Sequence, residues 1–213
     1  MIRIFKKIFS FKKNKNIYLI DSNDQIDFAV DILSSEKILG LDTEFDWRNT
    51  YHPILSLLQI ESSKDILLID CIKCTRLKFL KPILENSSVL KVFHSSRSDT
   101  TVLSTNLNIK IKNVFDIQIA EKIIHGGEIK NYASIVGNYF FISLDKAETN
   151  SNWLKRPFTE NQLIYAADDV AFLIEIYKKQ LQILRKNCLV EKAFIDSKRE
   201  AKLGNEKLSK IRL

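Results

Sequence analysis

The segment ILGLDTEF at residues 38–45 decides the fold. It begins with a continuous apolar run, which is typical of a strand buried on both faces of a sheet. Two acidic residues, Asp42 and Glu44, follow in the same strand. Because side chains alternate across a strand, Asp42 and Glu44 project from one face and Thr43 from the other. We therefore predict a central buried strand that ends in a pair of carboxylates.

Further strands and helices are predicted on both sides of this segment. Apolar runs indicate strands at 17–20, 54–60, 65–70 and 89–93. Helical periodicity predicts helices after a cap at Asp21 or Ser22 and near 76–85, 97–105, 115–124, 131–139, 159–185 and 189–203. Thr159, followed three residues later by Gln162, forms a capping box that starts the longest helix. Early strands and a later helical half predict an α/β or α+β domain with a central mixed sheet flanked by helices.

The positive charge of the chain lies at its two ends. The 213 residues have a formal net charge of +7. Residues 1–16 contribute +6 and residues 198–213 contribute +4, which leaves −3 for the middle of the chain. A mildly acidic middle that binds a polyanion needs another source of positive charge, and bound divalent metal ions supply one.

The N-terminal segment MIRIFKKIFSFKKNKN places apolar residues on one potential helix face, with lysines between them. Three alternatives stay open for it: a solvated extension, a surface that touches RNA phosphates or an anionic membrane, and a weak organelle-targeting segment. No apolar run of the sequence approaches the ~20 residues of a membrane span. The cysteines Cys71, Cys74 and Cys188 do not suggest a disulfide framework in a chain of this size, which favours a cytoplasmic setting.

Two further acids, Asp169 and Asp99, lie on predicted helices at positions that suggest a partner for the carboxylate. Asp169 follows Tyr165 by four residues, so both lie on one face of the long predicted helix. A purely structural hydrogen bond between them is one alternative. Asp99 falls in the first turn of a predicted helix, where the helix dipole by itself favours a carboxylate. The pair Asp42 and Glu44 is costly to bury unless a cation compensates it, and an exposed strand end is its structural alternative.

The four acids together form a more specific pattern. Asp42, Glu44, Asp99 and Asp169, with Tyr165 four residues before the last acid, resemble the DEDD superfamily of 3′-5′ exonucleases in its tyrosine-bearing branch. The histidine-bearing branch would have His at position 164, which is Ile. The likeness is to ribonuclease D, it runs in order over about residues 17–185, and it includes LDTEF, TYHPILSLLQI, ILLID, KVFHSSRSD, FDIQIAEKI, YASIV and LDKAETNSNWLKRPFTENQLIYAADDV. Ser98 and Asn152 depart from the pattern, neither at an expected metal ligand.

The resemblance implies a role for each matching residue. Asp42, Glu44, Asp99 and Asp169 would hold two divalent ions, Mg²⁺ or Mn²⁺, and all four would act in catalysis together with Tyr165. Two such ions can stabilise the attacking and the leaving oxygen of a phosphodiester together. Tyr165 would orient the attacking water, because a reference pKa of ~10 leaves only about one tyrosine in a thousand ionised at neutral pH. The expected substrate-binding residues are Thr43, Phe45, Gln59, His94 and Lys146.

The same resemblance implies a domain plan and a function. We expect an RNase H-like exonuclease fold over residues 17–186, between a basic N-terminal extension at 1–16 and a C-terminal helix with a basic tail at 187–213. The implied activity is metal-dependent 3′-5′ exoribonuclease action that releases nucleoside 5′-monophosphates, in transfer-RNA 3′ processing or RNA decay. The expected partner is a single-stranded RNA 3′ end, transfer-RNA precursors included, and DNA is a second substrate class.

Two alternatives to this function are kept. Ribonuclease D carries C-terminal helical RNA-binding domains, and the chain ends at Leu213 without them, which favours degradation of very short oligoribonucleotides. A non-catalytic RNA-binding or membrane-tethered scaffold is the other alternative, although such a protein is expected to have lost a metal-binding acid. The sequence leaves the physiological substrate, the preferred metal and the oligomeric state open.

Overall fold

The structure is a computed structural model that describes residues 3–4, 15–48 and 50–206. The amphipathic segment proposed to touch RNA or a membrane lies mostly outside the described residues, as does the basic tail after residue 206. The strands are β1 (Arg3–Ile4), β2 (Asn16–Ile20), β3 (Ile38–Asp46), β4 (Ile54–Glu61), β5 (Asp65–Asp70), β6 (Leu90–Phe93) and β7 (Val114–Asp116). The helices are α1 (Ile26–Ser34), α2 (Lys81–Leu84), α3 (Ser96–Leu107), α4 (Ile117–His125), α5 (Tyr132–Phe140), α6 (Glu160–Asp168), α7 (Leu173–Lys186) and α8 (Val190–Glu206).

The strands form one mixed sheet in the order β1-β2-β5-β4-β3-β6-β7. β3 runs antiparallel to β4 and parallel to β6. The pairing of β3 with β6 covers only Ile38 to Gly40, whereas the pairing of β3 with β4 continues to Asp46. The second half of β3, which carries the two acids, therefore has an open flank on the β6 side. The predicted mixed sheet flanked by helices is confirmed.

Helices cover both faces of the sheet and form two buried cores. On one face Leu39 and Leu41 of β3 pack in a core that includes residues of α1 and α3. On the other face Leu57 of β4 and Val92 of β6 pack in a core that includes residues of α4 to α7. Helix α8 lies across α3 and β7. In the described ranges, no helix combines the length and the apolar character needed to cross a bilayer.

The long helix predicted at 159–185 is two helices, which corrects the prediction from periodicity. The capping box of Thr159 and Gln162 is present, but α6 ends at Asp168 and α7 begins at Leu173. Contacts from other elements replace the helical hydrogen bonds at the break. The Tyr132 hydroxyl accepts from the Phe172 N–H at 3.2 Å, and it donates to the Asp168 carbonyl oxygen at 3.2 Å. Tertiary contacts therefore outweigh the local preference for one continuous helix.

Two smaller predictions of secondary structure are also corrected. The helix predicted near 76–85 is a 3₁₀ turn, Leu77–Leu80, followed by the short α2 with Pro82 near its start. The helix predicted at 115–124 begins only at Ile117, because Val114–Asp116 forms the edge strand β7 beside β6. A three-residue strand carries too little periodicity to be separated from the helix that follows it.

Candidate active site

Three carboxylates meet at the second half of β3. Asp42 and Glu44 project from the same face of the strand, as predicted, and Asp169 reaches them from the C-terminal end of α6. One oxygen of each side chain lies within 4.8 Å of the others, and all three residues are half-buried. Because Mg²⁺–oxygen distances are about 2.0–2.1 Å, oxygens at this spacing need only small rotations to share an ion.

The fourth predicted acid, Asp99, approaches β3 from the opposite face of the sheet. It lies in the first turn of α3 and is only 4% exposed. Its Oδ1 accepts a hydrogen bond from the Thr43 hydroxyl at 2.6 Å. Asp99 is not among the three acids whose oxygens lie within 4.8 Å, but its charge raises the pKa of both Asp42 and Glu44. It therefore belongs electrostatically to the same cluster.

Burial and mutual repulsion make the acids of this cluster weak. Burial, followed by the charges of the three other acids, raises the pKa of Asp42. The same two effects raise the pKa of Glu44 to about 9. Burial raises the pKa of Asp99 to about 7, against the hydrogen bond from Thr43. Such a donor set fits a hard divalent cation, because Mg²⁺ and Mn²⁺ prefer oxygen ligands and their charge offsets the repulsion.

Tyr165 lies one helical turn before Asp169, with its half-buried ring beside the cluster. The Tyr165 hydroxyl is 3.3 Å from the Thr149 hydroxyl, and its ring centroid is 6.0 Å from that of Trp153. Burial and then the charge of Asp169 raise the pKa of Tyr165. The phenol therefore keeps its proton at neutral pH and can act as a hydrogen-bond donor. A backbone hydrogen bond also joins the two residues, from the Asp169 N–H to the Tyr165 carbonyl oxygen at 3.1 Å.

The loop that precedes α6 is tied to the sheet by Arg156. Its guanidinium donates to both carboxylate oxygens of the buried Asp70, at 2.6 and 2.8 Å, and to the Trp153 carbonyl oxygen at 2.6 Å. It also lies 3.8 Å from the ring centroid of Phe158. The Ser56 hydroxyl adds a hydrogen bond to the Trp153 carbonyl. These contacts hold Trp153, and through it the ring of Tyr165, against the edge of the site.

An apolar cavity of about 480 Å³ opens beside Tyr165. Its walls are the segment after α5, one face of α6 and the start of α7, and their apolar residues include Phe141, Leu144, Ile164 and Phe172; acidic residues lie at the same walls. The Phe141 side chain is 95% exposed. A cavity of this size and character is typical of sites for planar organic groups. It lies next to the acids without containing Asp42 or Glu44.

Two of the predicted substrate-binding residues of the strands have buried side chains. The Thr43 hydroxyl donates to Asp99, so the side chain holds that acid in the structure, and a contact of Thr43 with substrate stays a prediction. Gln59 faces Asp42 across the β3–β4 ladder and is 0% exposed. Neither atom of the Gln59 amide has a hydrogen-bond partner among the described residues. Gln59 therefore lies beneath the acids rather than on the open surface.

The other three predicted substrate-binding residues lie around the site. His94 follows β6, and its Nε2 is 3.1 Å from the Lys130 carbonyl oxygen. Phe45 is half-buried after a register shift in β3 and makes an edge contact with Trp47, at 6.5 Å between centroids. Lys146 is exposed on the loop that carries Thr149, and its Nζ lies 3.5 Å from Asn131 Oδ1. Substrate contacts of these residues stay predictions.

Sequence reasoning missed the residue that holds the start of α3. The carboxylate of Asp116 is 1% exposed and accepts from the N–H groups of Ser95 and Ser96, at 3.1 and 2.7 Å. It also accepts from the Gln118 N–H at 3.0 Å, so that one side chain caps both α3 and α4. The position of Asp116 just before α4 predicts its cap on that helix, but nothing in the sequence predicts its hydrogen bonds to the start of α3. Thr149, which contacts the Tyr165 hydroxyl, was also missed, because it does not lie in a periodic segment.

Comparison with known proteins identifies the family of this site. The family model of the 3′-5′ exonuclease domain matches residues 17–185. Ribonuclease D of Haemophilus influenzae is 29% identical over 98% of this chain and 58% of its own length. Ribonuclease D of Xanthomonas oryzae pv. oryzae is 37% identical over 65% of this chain and 38% of its own length. The chain thus spans about half the length of the curated relatives it matches.

A solved structure gives the same assignment. The crystal structure of Escherichia coli RNase D, described as an exoribonuclease involved in structured RNA processing, superposes with a TM-score of 0.84. That match has 29% identity and covers 88% of this chain and 50% of the other. The catalytic core of RRP6 from Trypanosoma brucei, at 24% identity and a TM-score of 0.84, shows the same fold over 91% of this chain and 53% of its own. The chain therefore belongs to the 3′-5′ exonuclease domain family, in its ribonuclease D-like form.

Proposed function

We propose that the chain is a metal-dependent exoribonuclease that removes nucleoside 5′-monophosphates from the 3′ ends of RNA. The observation that carries the proposal is the meeting of Asp42, Glu44 and Asp169 beside Tyr165, with Asp99 bound to Thr43 and close enough to raise the pKa of Asp42. Family membership supports it, since the E. coli relative is described as an exoribonuclease. The reaction is hydrolysis of the last phosphodiester bond, in which a water oxygen attacks phosphorus and the 3′ oxygen leaves.

In this proposal Asp42, Glu44, Asp99 and Asp169 hold two divalent ions, Mg²⁺ or Mn²⁺. When bound, such ions lower the pKa of water and offset the charge on the attacking and leaving oxygens. The carboxylates supply the negative charge that retains the cations in a half-buried site. Thr43 fixes the rotation of Asp99 through its hydroxyl, so that this acid is oriented before any ligand arrives. The site is thus prepared by the protein itself.

Tyr165 orients the attacking water in this proposal. Its protonated hydroxyl can donate a hydrogen bond, and the contact with Thr149 and the packing of Trp153 restrict where it points. A phenol whose pKa is raised further by burial is a poor general base at neutral pH. Positioning the water oxygen in line with the scissile bond contributes by removing the entropy cost of finding that geometry.

The substrate reaches the acids as a single strand. The cavity beside Tyr165 and the exposed ring of Phe141 suit a base near the 3′ end, since base–aromatic stacking contributes about 1–3 kcal/mol. Phe45 and His94 contact the terminal nucleotide in this proposal, and Lys146 contacts a phosphate. Gln59, buried opposite Asp42 with an amide that has no hydrogen-bond partner among the described residues, offers that amide to the substrate in this proposal. The activity is placed in the cytoplasm, with RNA decay or transfer-RNA 3′ processing as its setting.

One assay tests the proposed function. We expect 3′-tailed RNA that carries a 5′ label to shorten one nucleotide at a time with Mn²⁺ or Mg²⁺, and to stay intact with EDTA. Asp42→Ala should abolish the shortening, while Asp168→Asn, which changes the neighbour of a cluster acid, should retain it. Unchanged shortening by Asp42→Ala would contradict the proposal. Dinucleotides, a 3′-extended transfer RNA and DNA, compared in the same assay, define the substrate class.

The role of Tyr165 has its own test. Tyr165→Phe keeps the ring against Trp153 and removes only the hydroxyl. We expect kcat to fall by about 10- to 100-fold, the range that loss of a positioned group produces, while Mn²⁺ affinity is retained. Isothermal titration measures the affinity, and single-turnover rates measure the chemistry. Lost Mn²⁺ binding in this variant would show that the hydroxyl supports the metal site rather than the water.

A further inference from the structure

Another carboxylate, the fully buried Glu61, lies near the cluster without belonging to it. Glu61 is the last residue of β4, stands opposite Gly40 in β3 and is 0% exposed. Its Oε1 accepts from Lys15 Nζ at 2.7 Å. Its Oε2 accepts from the backbone N–H of Ile174 at 2.9 Å. Both oxygens of a fully buried acid are therefore used, one by a side chain and one by the backbone of α7.

The bond to Ile174 gives α7 the cap that its own sequence lacks. The first N–H groups of a helix have no partner inside the helix. The residue before α7, Phe172, provides no side-chain cap, and Ile174 is the second residue of the helix. Glu61 provides the acceptor from a strand 113 residues away in sequence, and its charge also suits the positive end of the helix dipole. A strand of the central sheet thus fixes where α7 begins.

The start of α7 determines where Asp169 lies. Asp169 is five residues before Ile174, at the break between α6 and α7. Asp42 lies on β3, which is paired with the strand that carries Glu61. Fixing Ile174 to Glu61 therefore fixes the break, and with it Asp169, to the ladder that presents Asp42. Glu61 therefore helps to set the distance between Asp42 and Asp169.

Gly40 and Lys15 complete this arrangement. A Cβ at Gly40 would lie 2.7 Å from Glu61 Oε2 and 3.0 Å from the Leu173 Cβ, so any other residue at this position would press on Glu61 and on α7. Lys15 offsets the charge of Glu61, and its Nζ also donates to the Ser62 carbonyl oxygen at 2.5 Å. Its side chain is 13% exposed, so that the ion pair is largely shielded from water.

We propose that Glu61 is a positioning residue for the metal site, which acts by holding the start of α7 and thereby Asp169. The link of Glu61 to catalysis rests on the proposed function, whereas its hydrogen bond to the start of α7 does not. It assigns to the last residue of β4 a task that none of the four acids performs. Loss of a residue that orients a metal ligand typically lowers metal affinity by about 10- to 100-fold, and an effect of that size is expected here.

Three variants separate capping from charge. Glu61→Gln keeps an acceptor for the Ile174 N–H but loses the negative charge. Glu61→Ala loses both and leaves Lys15 buried without its acid, and we expect it to be less stable than the parent and to bind Mn²⁺ more weakly. The double variant Lys15→Met with Glu61→Leu replaces the ion pair by apolar side chains, an exchange that buried ion pairs often tolerate, and it removes the acceptor. Glu175→Gln, in the first turn of α7, is the matched control.

The measurements are Mn²⁺ affinity by isothermal titration, amide hydrogen exchange at Ile174 in the metal-free protein, and kcat and KM on RNA. For the double variant we expect Mn²⁺ affinity lower by about 10- to 100-fold, faster exchange at Ile174, and a fall in kcat that exceeds the rise in KM. Glu61→Gln should restore the affinity and the exchange toward those of the parent, and Glu175→Gln should leave both unchanged.

Each outcome decides one claim. A double variant that folds and matches the parent in Mn²⁺ affinity and in exchange at Ile174 overturns the inference. Glu61→Gln that behaves like the double variant also overturns it, because charge rather than capping would then be the cause. If the parent binds Mn²⁺ but degrades no RNA, the proposed function fails, while affinity and exchange still decide the role of Glu61.

Discussion

The two acids that helices supply to the cluster are held in different ways on the two faces of the sheet. Asp99 lies inside a continuous helix, and the first turn of that helix is capped by Asp116 and joined to β3 through Thr43. Helix α8 packs across it so closely that a Cβ at Gly204 would lie 2.0 Å from the Thr100 hydroxyl oxygen. The position of Asp99 is therefore part of the folded core.

Asp169 lies at a break between two helices, and separate contacts fix that break. Tyr132 bridges the Asp168 carbonyl and the Phe172 N–H, and Glu61 accepts from the Ile174 N–H. The comparison teaches that the two faces should respond differently to substitution. Substitution of the residues that hold α3 in place should lower the stability of the whole fold. Substitution of the residues that hold the break between α6 and α7 should first lower metal affinity and turnover.

The largest effect is expected from replacing either helix acid by its amide. Asp99→Asn and Asp169→Asn should each lower kcat/KM by more than about 100-fold, the upper end of what orienting residues cause, because a neutral amide is a weaker metal ligand. Both should raise the melting temperature in EDTA, since each removes a charge from a crowded buried set, and the rise should be larger for the more buried Asp99. Calorimetry in EDTA and RNA assays measure the two effects. A lower melting temperature for Asp99→Asn would contradict the electrostatic account.

The next largest effect is expected on stability at the Asp99 side. Asp116→Ala leaves buried N–H groups of two helices without an acceptor, and we expect the free energy of unfolding to fall by about 2–4 kcal/mol. Denaturant titration of the metal-free protein measures it. Asp116→Asn keeps one acceptor oxygen and should retain most of the stability. A normal unfolding midpoint for Asp116→Ala would mean that α3 is held by α8 alone.

The acids of the cluster also predict how pH acts on the metal-free protein. The folded-state pKa values of Glu44 and Asp99 are raised to about 9 and about 7, so the folded chain holds protons that the unfolded chain releases at lower pH. Stability from these groups is present at acid pH and is lost as the pH rises from about 4 toward 9. We expect the melting temperature in EDTA to fall over this range, and saturating Mn²⁺ to oppose the fall by binding the ionised acids. Calorimetry at pH 5, 7 and 9 tests both signs.

The smallest effect, and the most direct test of the comparison, comes from a pair of glycines. Gly40→Ala and Gly204→Ala each add one methyl group to a close contact, and each should cost about 1–3 kcal/mol. Only Gly40→Ala presses on Glu61 and Leu173, so only this variant should also lower Mn²⁺ affinity once folded. Equal Mn²⁺ affinities in the two variants would contradict the claim that only the Glu61 side of the sheet controls the metal site.

Much of the fold could be predicted because it depends on local patterns. The apolar run at 38–41 predicts β3, and alternation along the strand predicts that Asp42 and Glu44 share a face; the structure has both. The capping box at Thr159 predicts the start of α6 for the same reason, since its partners are three residues apart. Signals of this kind lie within a few residues of one another and need no knowledge of the tertiary fold.

The break after α6 could not be predicted, because its partners are distant in sequence. The apolar spacing through Val170 and Ile174 is equally compatible with one long helix. The contacts that interrupt it come from Tyr132 and Glu61, which periodicity along the helix does not reveal. The double cap of Asp116 and the bond between Thr43 and Asp99 were missed for the same reason.

The amino-acid sequence by itself determined the family, the four candidate acids and the face of β3 on which two of them lie, because motif spacing and strand alternation are local properties of the chain. Only the tertiary structure decided that the helices next to Asp99 and Asp169 pack on opposite faces of the sheet. It also decided that Asp116 holds the start of α3, which carries Asp99, and that Glu61 holds the start of α7, which follows Asp169. Side chains far apart in sequence become partners only when the sheet and its helices are packed, since burial makes an unpaired N–H or carboxylate costly and so selects the partner within reach.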